Sequence, residues 1–231
     1  MSASVPSHRQ GGPPLLAPAI AYGALVVASV GMATGGPRTT TAAAQALRYA
    51  RGHSGQLHAG AWLIFAAAVP LAVWTATAYR RLRTLGVTAP GAVIGLAGGV
   101  LASASMALCG LLTWTLADTA DSADPAVAHA LVDLIFATGA AGLVVPFALL
   151  LAGVAVPSLI LGLTPRWLAW SGLAIAVIGM LSTFTLVTSA LDFTLPIGRF
   201  GGLAWIIAAS VALPQSRHAM RDRAGAPAAA G

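Results

Sequence analysis

Apolar residues in this chain fall in long blocks, without the strict alternation that marks a half-buried strand. Six blocks stand out, at about residues 15–35, 57–79, 91–116, 126–158, 167–189 and 197–213. Most reach or exceed the roughly 20 residues a helix needs to cross about 30 Å of hydrocarbon. The last is short and is expected to begin a few residues earlier. The pattern predicts an all-α transmembrane bundle of six helices, forming one domain over 15–213. Its flanks, 1–14 and 214–231, carry too little apolar surface to pack and are expected to be disordered tails. The first block could be a signal sequence, but its apolar run exceeds the usual core of about 7–15 residues, so a retained helix is expected.

The punctuation between blocks refines the picture. Gly36–Gln56 is a connection carrying Arg38, Arg48, Arg51 and His53, with a short helix expected at Thr41–Arg51. The second block ends at Arg80, Arg81 and Arg83, and Pro70 within it predicts a kink. Residues 117–125, ADTADSADP, form an acidic loop whose Asp124-Pro125 pair starts the next helix. The fourth block, about 33 residues or about 50 Å of helix, is longer than the hydrocarbon requires. Its excess is expected to project into water or be absorbed by tilt and by kinks at Pro146 and Pro157. Gly162–Arg166 reads as a tight turn, and Trp167 and Trp170 sit where indoles favour the headgroup layer. Trp62, Trp74, Trp114 and Trp205 read as interfacial anchors or packing residues.

Composition makes lipid the natural solvent. Of 231 residues 58% are hydrophobic and 8% charged, with mean hydropathy +0.84; a soluble domain carries about a quarter charged residues. The twelve basic residues are all arginine and the six acidic ones all aspartate, a bias of the kind GC-rich coding produces. The arginines lie mostly between or beyond the apolar blocks, as topology signals and not as a nucleic-acid surface. With both termini cytoplasmic, Arg9, Arg80, Arg81, Arg83, Arg166, Arg217, Arg221 and Arg223 fall inside, and Arg38, Arg48, Arg51 and Arg199 outside with the acidic loop. Eight against four favours an N-in/C-in arrangement in a bacterial plasma membrane, the cell membrane being crossed several times. The arginines of the first connection run against it.

Two stretches carry a likeness. LTPRWLAW at 163–170 and LPIGRFGG at 195–202, together with DPAVAHALVD at the start of the fourth block, resemble an actinobacterial group of six-span membrane proteins defined by a domain of unknown function. The resemblance covers roughly 120–215 at the level of motifs and the first half only as a hydropathy pattern. It implies a fold and a location, without an activity or a catalytic residue to carry over.

Candidate chemistry gathers at one end of the expected bundle. His53, His58, His129, Asp133, Asp192 and Arg199 all fall near the same ends of their helices. His129 and Asp133 are one helical turn apart and can hydrogen-bond, and Arg199 is expected to pair with Asp133 or Asp192. The plainer interpretation is a structural polar cap; the sharper one is a site for a proton-linked substrate or a divalent metal, making the protein a small transporter. No HExxH or CxxC pattern arranges ligands, bis-histidine haem would need histidines facing each other across the core, and no cofactor motif is present. Ser103, Ser105 and Ser182 are expected to bond to their own helix backbones, and Cys109 is a packing residue that cannot form a disulfide within the chain. No catalytic constellation is identifiable. Gly91, Gly95, Gly99 and Ser103 recur every four residues, a small-residue face that admits another backbone and offers a route to a homo-oligomer. The function expected is a structural or interaction role in the lipid bilayer.

Overall fold

The computed structural model describes residues 14–32, 35–37 and 39–214. Both expected tails, except Pro14 and Pro214, lie outside these residues, as do Arg9, Arg38, Arg217, Arg221 and Arg223. The protein is all-α, and no strand occurs among the described residues. In order the helices are α1 (Leu16–Met32), α2 (Ala43–Gly52), α3 (Ser54–Thr84), α4 (Gly91–Asp118), α5 (Pro125–Gly139), α6 (Ala141–Ile160), α7 (Arg166–Leu181) and α8 (Thr194–Ala212). Two short 3₁₀ turns, Ser182–Leu186 and Ser189–Leu191, join α7 to α8. Five segments, among them Pro125–Ile160 taken whole, are long and apolar enough to cross a membrane; α1, with 17 residues, is shorter.

The fourth apolar block is two helices rather than the single one expected. Helix α5 starts as the sequence indicates, with Asp124 Oδ1 accepting from the Ala126 N–H at 2.8 Å and Pro125 in the first turn. It stops at Gly139 because Ala140 leaves helical geometry, at φ −98° and ψ −102°. Both prolines expected to kink this block, Pro146 and Pro157, lie within α6. Glycines on either side make the corner possible. A Cβ at Gly139 would lie 2.8 Å from Cys109 Sγ, and one at Gly142 would lie 2.9 Å from the Ala137 carbonyl oxygen.

Helix α6 is the centre of the bundle. In the most apolar stretch of Pro125–Ile160, 61% of residues are buried, against 33–44% in the other four long segments. Around it α1 packs on α3, α3 on α4, α4 on α6 and α6 on α7, and α8 returns to α1, α6 and α7. Tyr22, Leu71, Trp74, Leu143, Phe147, Leu151 and Ile206 meet in this core. The buried indoles are partnered: Trp74 Nε1 donates to Ser210 Oγ at 2.8 Å, and Trp205 Nε1 to the Leu168 carbonyl at 2.7 Å. These two are packing residues, whereas Trp62, Trp114, Trp167 and Trp170 are exposed.

Close approach of α4 to its neighbours depends on glycine. A Cβ at Gly95 would sit 3.3 Å from Gly153 Cα, one at Gly153 would sit 2.6 Å from the Gly91 oxygen, and one at Gly98 would sit 2.6 Å from the Pro146 oxygen. Gly99 instead faces the Thr75 side chain on α3. Ser103 is buried and donates to the Gly99 carbonyl at 2.8 Å. The small-residue face thus packs against α3 and α6 of its own chain. This corrects the expectation that it is free to receive a second copy.

A smaller core caps one end. Ala46, Leu47 and Ala50 of α2 pack with Leu116, Ala120, Ala128 and Val132. Arg51 fastens this layer, its Nε donating to the Ala120 carbonyl at 2.8 Å and a terminal nitrogen to that of Asp121 at 3.4 Å. This is the acidic end of the bundle; Arg80, Arg81, Arg83 and Arg166 mark the opposite, arginine end.

Candidate functional site

The six polar residues expected to form one layer do lie toward the acidic end, but they do not converge. His53 is exposed and stacks on Tyr49 with ring centroids 4.2 Å apart, its Nδ1 3.1 Å from the Tyr49 carbonyl. His58 Nδ1 lies 2.8 Å from the Ser54 carbonyl, and its ring meets Trp114 edge-on at 6.4 Å. Both histidines therefore bind their own local backbone. His129 Nε2 and Asp133 Oδ2 stand 3.8 Å apart, on side chains 35% and 50% exposed. That separation is an ion-pair contact for a protonated imidazole and too long for the hydrogen bond expected. Asp192 sits exposed in the turn before α8, where its backbone N–H donates to the Ser189 carbonyl. Among the described residues no group of three His, Cys, Asp or Glu side chains could hold a metal ion.

Arg199 departs most from expectation. Neither Asp133 nor Asp192 pairs with it: the His129–Asp133 contact is the one ion pair among the described residues. Its Nε is buried and takes no hydrogen-bond partner. Local backbone explains how it reaches this place. Pro196 supplies no N–H, and the chain passes through a π-helical turn over Ile197–Gly201 before α8 resumes regular winding. Gly198, one residue before the arginine, is buried where a Cβ would stand 2.6 Å from Val144 Cγ1 and 3.3 Å from Gly179 Cα. The turn therefore presses α8 onto α6 and α7 with Arg199 at its centre.

Arg199 lines a cavity of about 350 Å³. Its walls come from α3 (Ile64), α4 (Cys109), the end of α5 (Ile135, Phe136), the corner at Gly139 and Ala140, Val144 of α6, and the start of α8 (Leu195, Phe200). Cys109 Sγ donates weakly to the Ile135 carbonyl at 3.6 Å. Arg199 is the one charged residue in this wall, so the cavity offers a cation on an otherwise apolar surface. The volume is within the range of small-ligand pockets, about 300–1,000 Å³. Such an arrangement suits binding and orienting an anion beside apolar groups.

The elements share a level that the helix rise locates. The 20 residues of α6 span about 30 Å from the arginine end to the corner at Ala140, one hydrocarbon thickness. Asp133 lies seven residues beyond that corner, about 10 Å farther along α5. Arg199 lies five residues into α8, about 7–8 Å from its start. Of the sequence-derived candidates, Arg199 is the one that lines this cavity. Its neighbours Gly139, Ala140 and Phe136 do not stand out in the sequence as site residues; the signal they carry is the pair of glycines at 139 and 142 bracketing two alanines.

No protein-family model, curated protein or solved structure matches the chain.

Proposed function

We propose that this is an integral protein of a bacterial plasma membrane, related to the actinobacterial six-span group, crossing the bilayer six times with both termini in the cytoplasm. Its role is binding or interaction, with no catalytic step of its own. The carrying observation is the outward face of the long helices. Val69 and Val73 on α3, Val93, Val100, Leu101 and Leu108 on α4, Val177 on α7 and Val211 on α8 are all large, apolar and exposed, far beyond what a water-facing bundle carries. Helix α1 supplies the sixth crossing, its 17 residues spanning about 25 Å. The acidic end is then outside. Arg51, which ran against the charge count, is held by the carbonyls of Ala120 and Asp121 and has a structural reason to be there.

Exposed indoles support the same placement. Trp62 and Trp114 lie 22 and 23 residues from the arginine ends of α3 and α4, about 33–35 Å, while Trp167 and Trp170 begin α7 at that end. A secreted-phosphatase reporter should be active when fused after Ser122 and inactive when fused after Thr88; the reverse result removes the orientation. A second reading, a small transporter, is supported by the interrupted helix at Ala140 facing the π-helical turn around Arg199, since transporters place broken helices beside their binding sites. Flux in reconstituted vesicles that Arg199→Gln abolishes would favour it over the binding role.

A further inference from the structure

A guanidinium stays charged under all physiological conditions, and at the edge of hydrocarbon it is costly unless an anion or water meets it. Arg199 has no carboxylate partner among the described residues, and its Nε is buried without an acceptor. The remaining wall of its cavity is apolar or weakly polar. We propose that this cavity binds an anionic phospholipid of the outer leaflet, with Arg199 holding the phosphate and Ile64, Ile135, Val144 and Phe200 packing along the adjoining glycerol and first methylenes. The proposal rests on the membrane placement argued above and names the ligand of that site.

Three observations select this occupant over a free anion. Phe136 and Phe200 line the cavity while remaining 41% and 39% exposed, and Ile197 beside them is 42% exposed, so the mouth opens through apolar side chains toward surrounding lipid. The corner at Ala140 ends one hydrocarbon thickness of α6, which puts the cavity at the level where phosphates of the outer leaflet lie. A free phosphate needs several donors to replace its water, and this wall provides one charged fork, whereas a lipid gains burial of its chain as well. With no carboxylate in the wall, a head group of net negative charge fits better than a zwitterionic one, whose own ammonium would compete for the phosphate.

The test is native mass spectrometry of the detergent-purified full chain, titrated with phosphatidylglycerol, phosphatidylcholine and inorganic phosphate. Wild-type protein should retain phosphatidylglycerol at least about tenfold more tightly than phosphatidylcholine, the scale of one charge-assisted pair. Arg199→Gln should erase that preference, Arg199→Lys should keep part of it, and millimolar inorganic phosphate should not displace the lipid. Ile135→Trp, which fills the cavity and leaves the arginine in place, should weaken binding of phosphatidylglycerol. Equal retention of both lipids by wild-type protein overturns the proposal whatever the variants do. So does displacement by inorganic phosphate, which would mark a site for a free anion, and so does an Arg199→Gln protein that keeps the preference. None of these results touches the orientation, which the reporter fusions test separately.

Discussion

Replacing Gly153 by alanine asks α4 and α6 to accommodate one methyl group where they have no room. The added carbon would meet the Gly91 carbonyl oxygen at 2.6 Å and overlap the Gly95 backbone still more closely, and all of these are main-chain atoms that cannot rotate away. Ordinary contact begins near 3.4 Å, so the helices must separate by up to an ångström over their shared length. Overpacking of this kind costs about 1–3 kcal/mol, against about 0.5–1 kcal/mol gained from alanine's helix preference. An overlap with main-chain atoms falls in the upper part of that range, about 2–3 kcal/mol, so the net loss is about 1–2.5 kcal/mol, a fall in Tm of roughly 2–10 °C for a chain of this size. Gly98→Ala, with the Pro146 oxygen at 2.6 Å and the Leu150 nitrogen at 2.7 Å, should behave alike. Gly95→Ala, whose nearest contact is 3.3 Å, should cost only tenths of a kilocalorie, and Gly55→Ala, with nothing within 4 Å, should be neutral or stabilising. Thermal unfolding in detergent followed by circular dichroism reads the series. If Gly153→Ala and Gly98→Ala melt no lower than Gly55→Ala, the α4–α6 contact is not the close one described.

Three further outcomes follow from other contacts. Arg51→Ala removes the donors to Ala120 and Asp121, and should cost about 1 kcal/mol and speed proteolysis of the acidic loop, read by limited digestion. Trp74→Phe leaves Ser210 without its indole donor and should cost about 1 kcal/mol; a double-mutant cycle with Ser210→Ala should return a coupling of about 0.5–1.5 kcal/mol. Asp133→Asn should change Tm by less than the equivalent of about 0.5 kcal/mol, because its 3.8 Å contact with His129 is half exposed; a large loss would restore Asp133 as an organising charge.

The apolar blocks made the helices legible, since in lipid each span must be both helical and apolar to satisfy its backbone. The Asp124-Pro125 start and the arginine flank at 80–83 were readable for the same local reason. The corner at Ala140 was not, because an apolar helix continues and an apolar corner turns with the same residues, and the stronger breakers by type, Pro146 and Pro157, lie inside α6 where the helix runs on. Arg199 was legible as a charge in the last apolar block, but its surroundings were not. Opposite charges in the sequence suggest a partner, while its actual surroundings come from four other helices, α3, α4, α5 and α6, and from a π-helical turn in α8 itself that shifts its register relative to the regular helix. The four-residue glycine rhythm pointed to a packing face, but its partner, Gly153, is recognisable only once α6 is in place.

The position of the α5–α6 corner relative to the bilayer decides whether Arg199 meets lipid phosphates, and single cysteines along this segment measure that position directly. In a Cys109→Ala background, a membrane-impermeant thiol reagent applied to intact cells should label Ala130→Cys and Asp133→Cys. It should leave Val156→Cys unlabelled throughout, and label Leu161→Cys only after the cells are permeabilised. Protection of Asp133→Cys to the same degree as Val156→Cys, or labelling of Leu161→Cys in intact cells, would contradict the placement of the corner at the outer boundary.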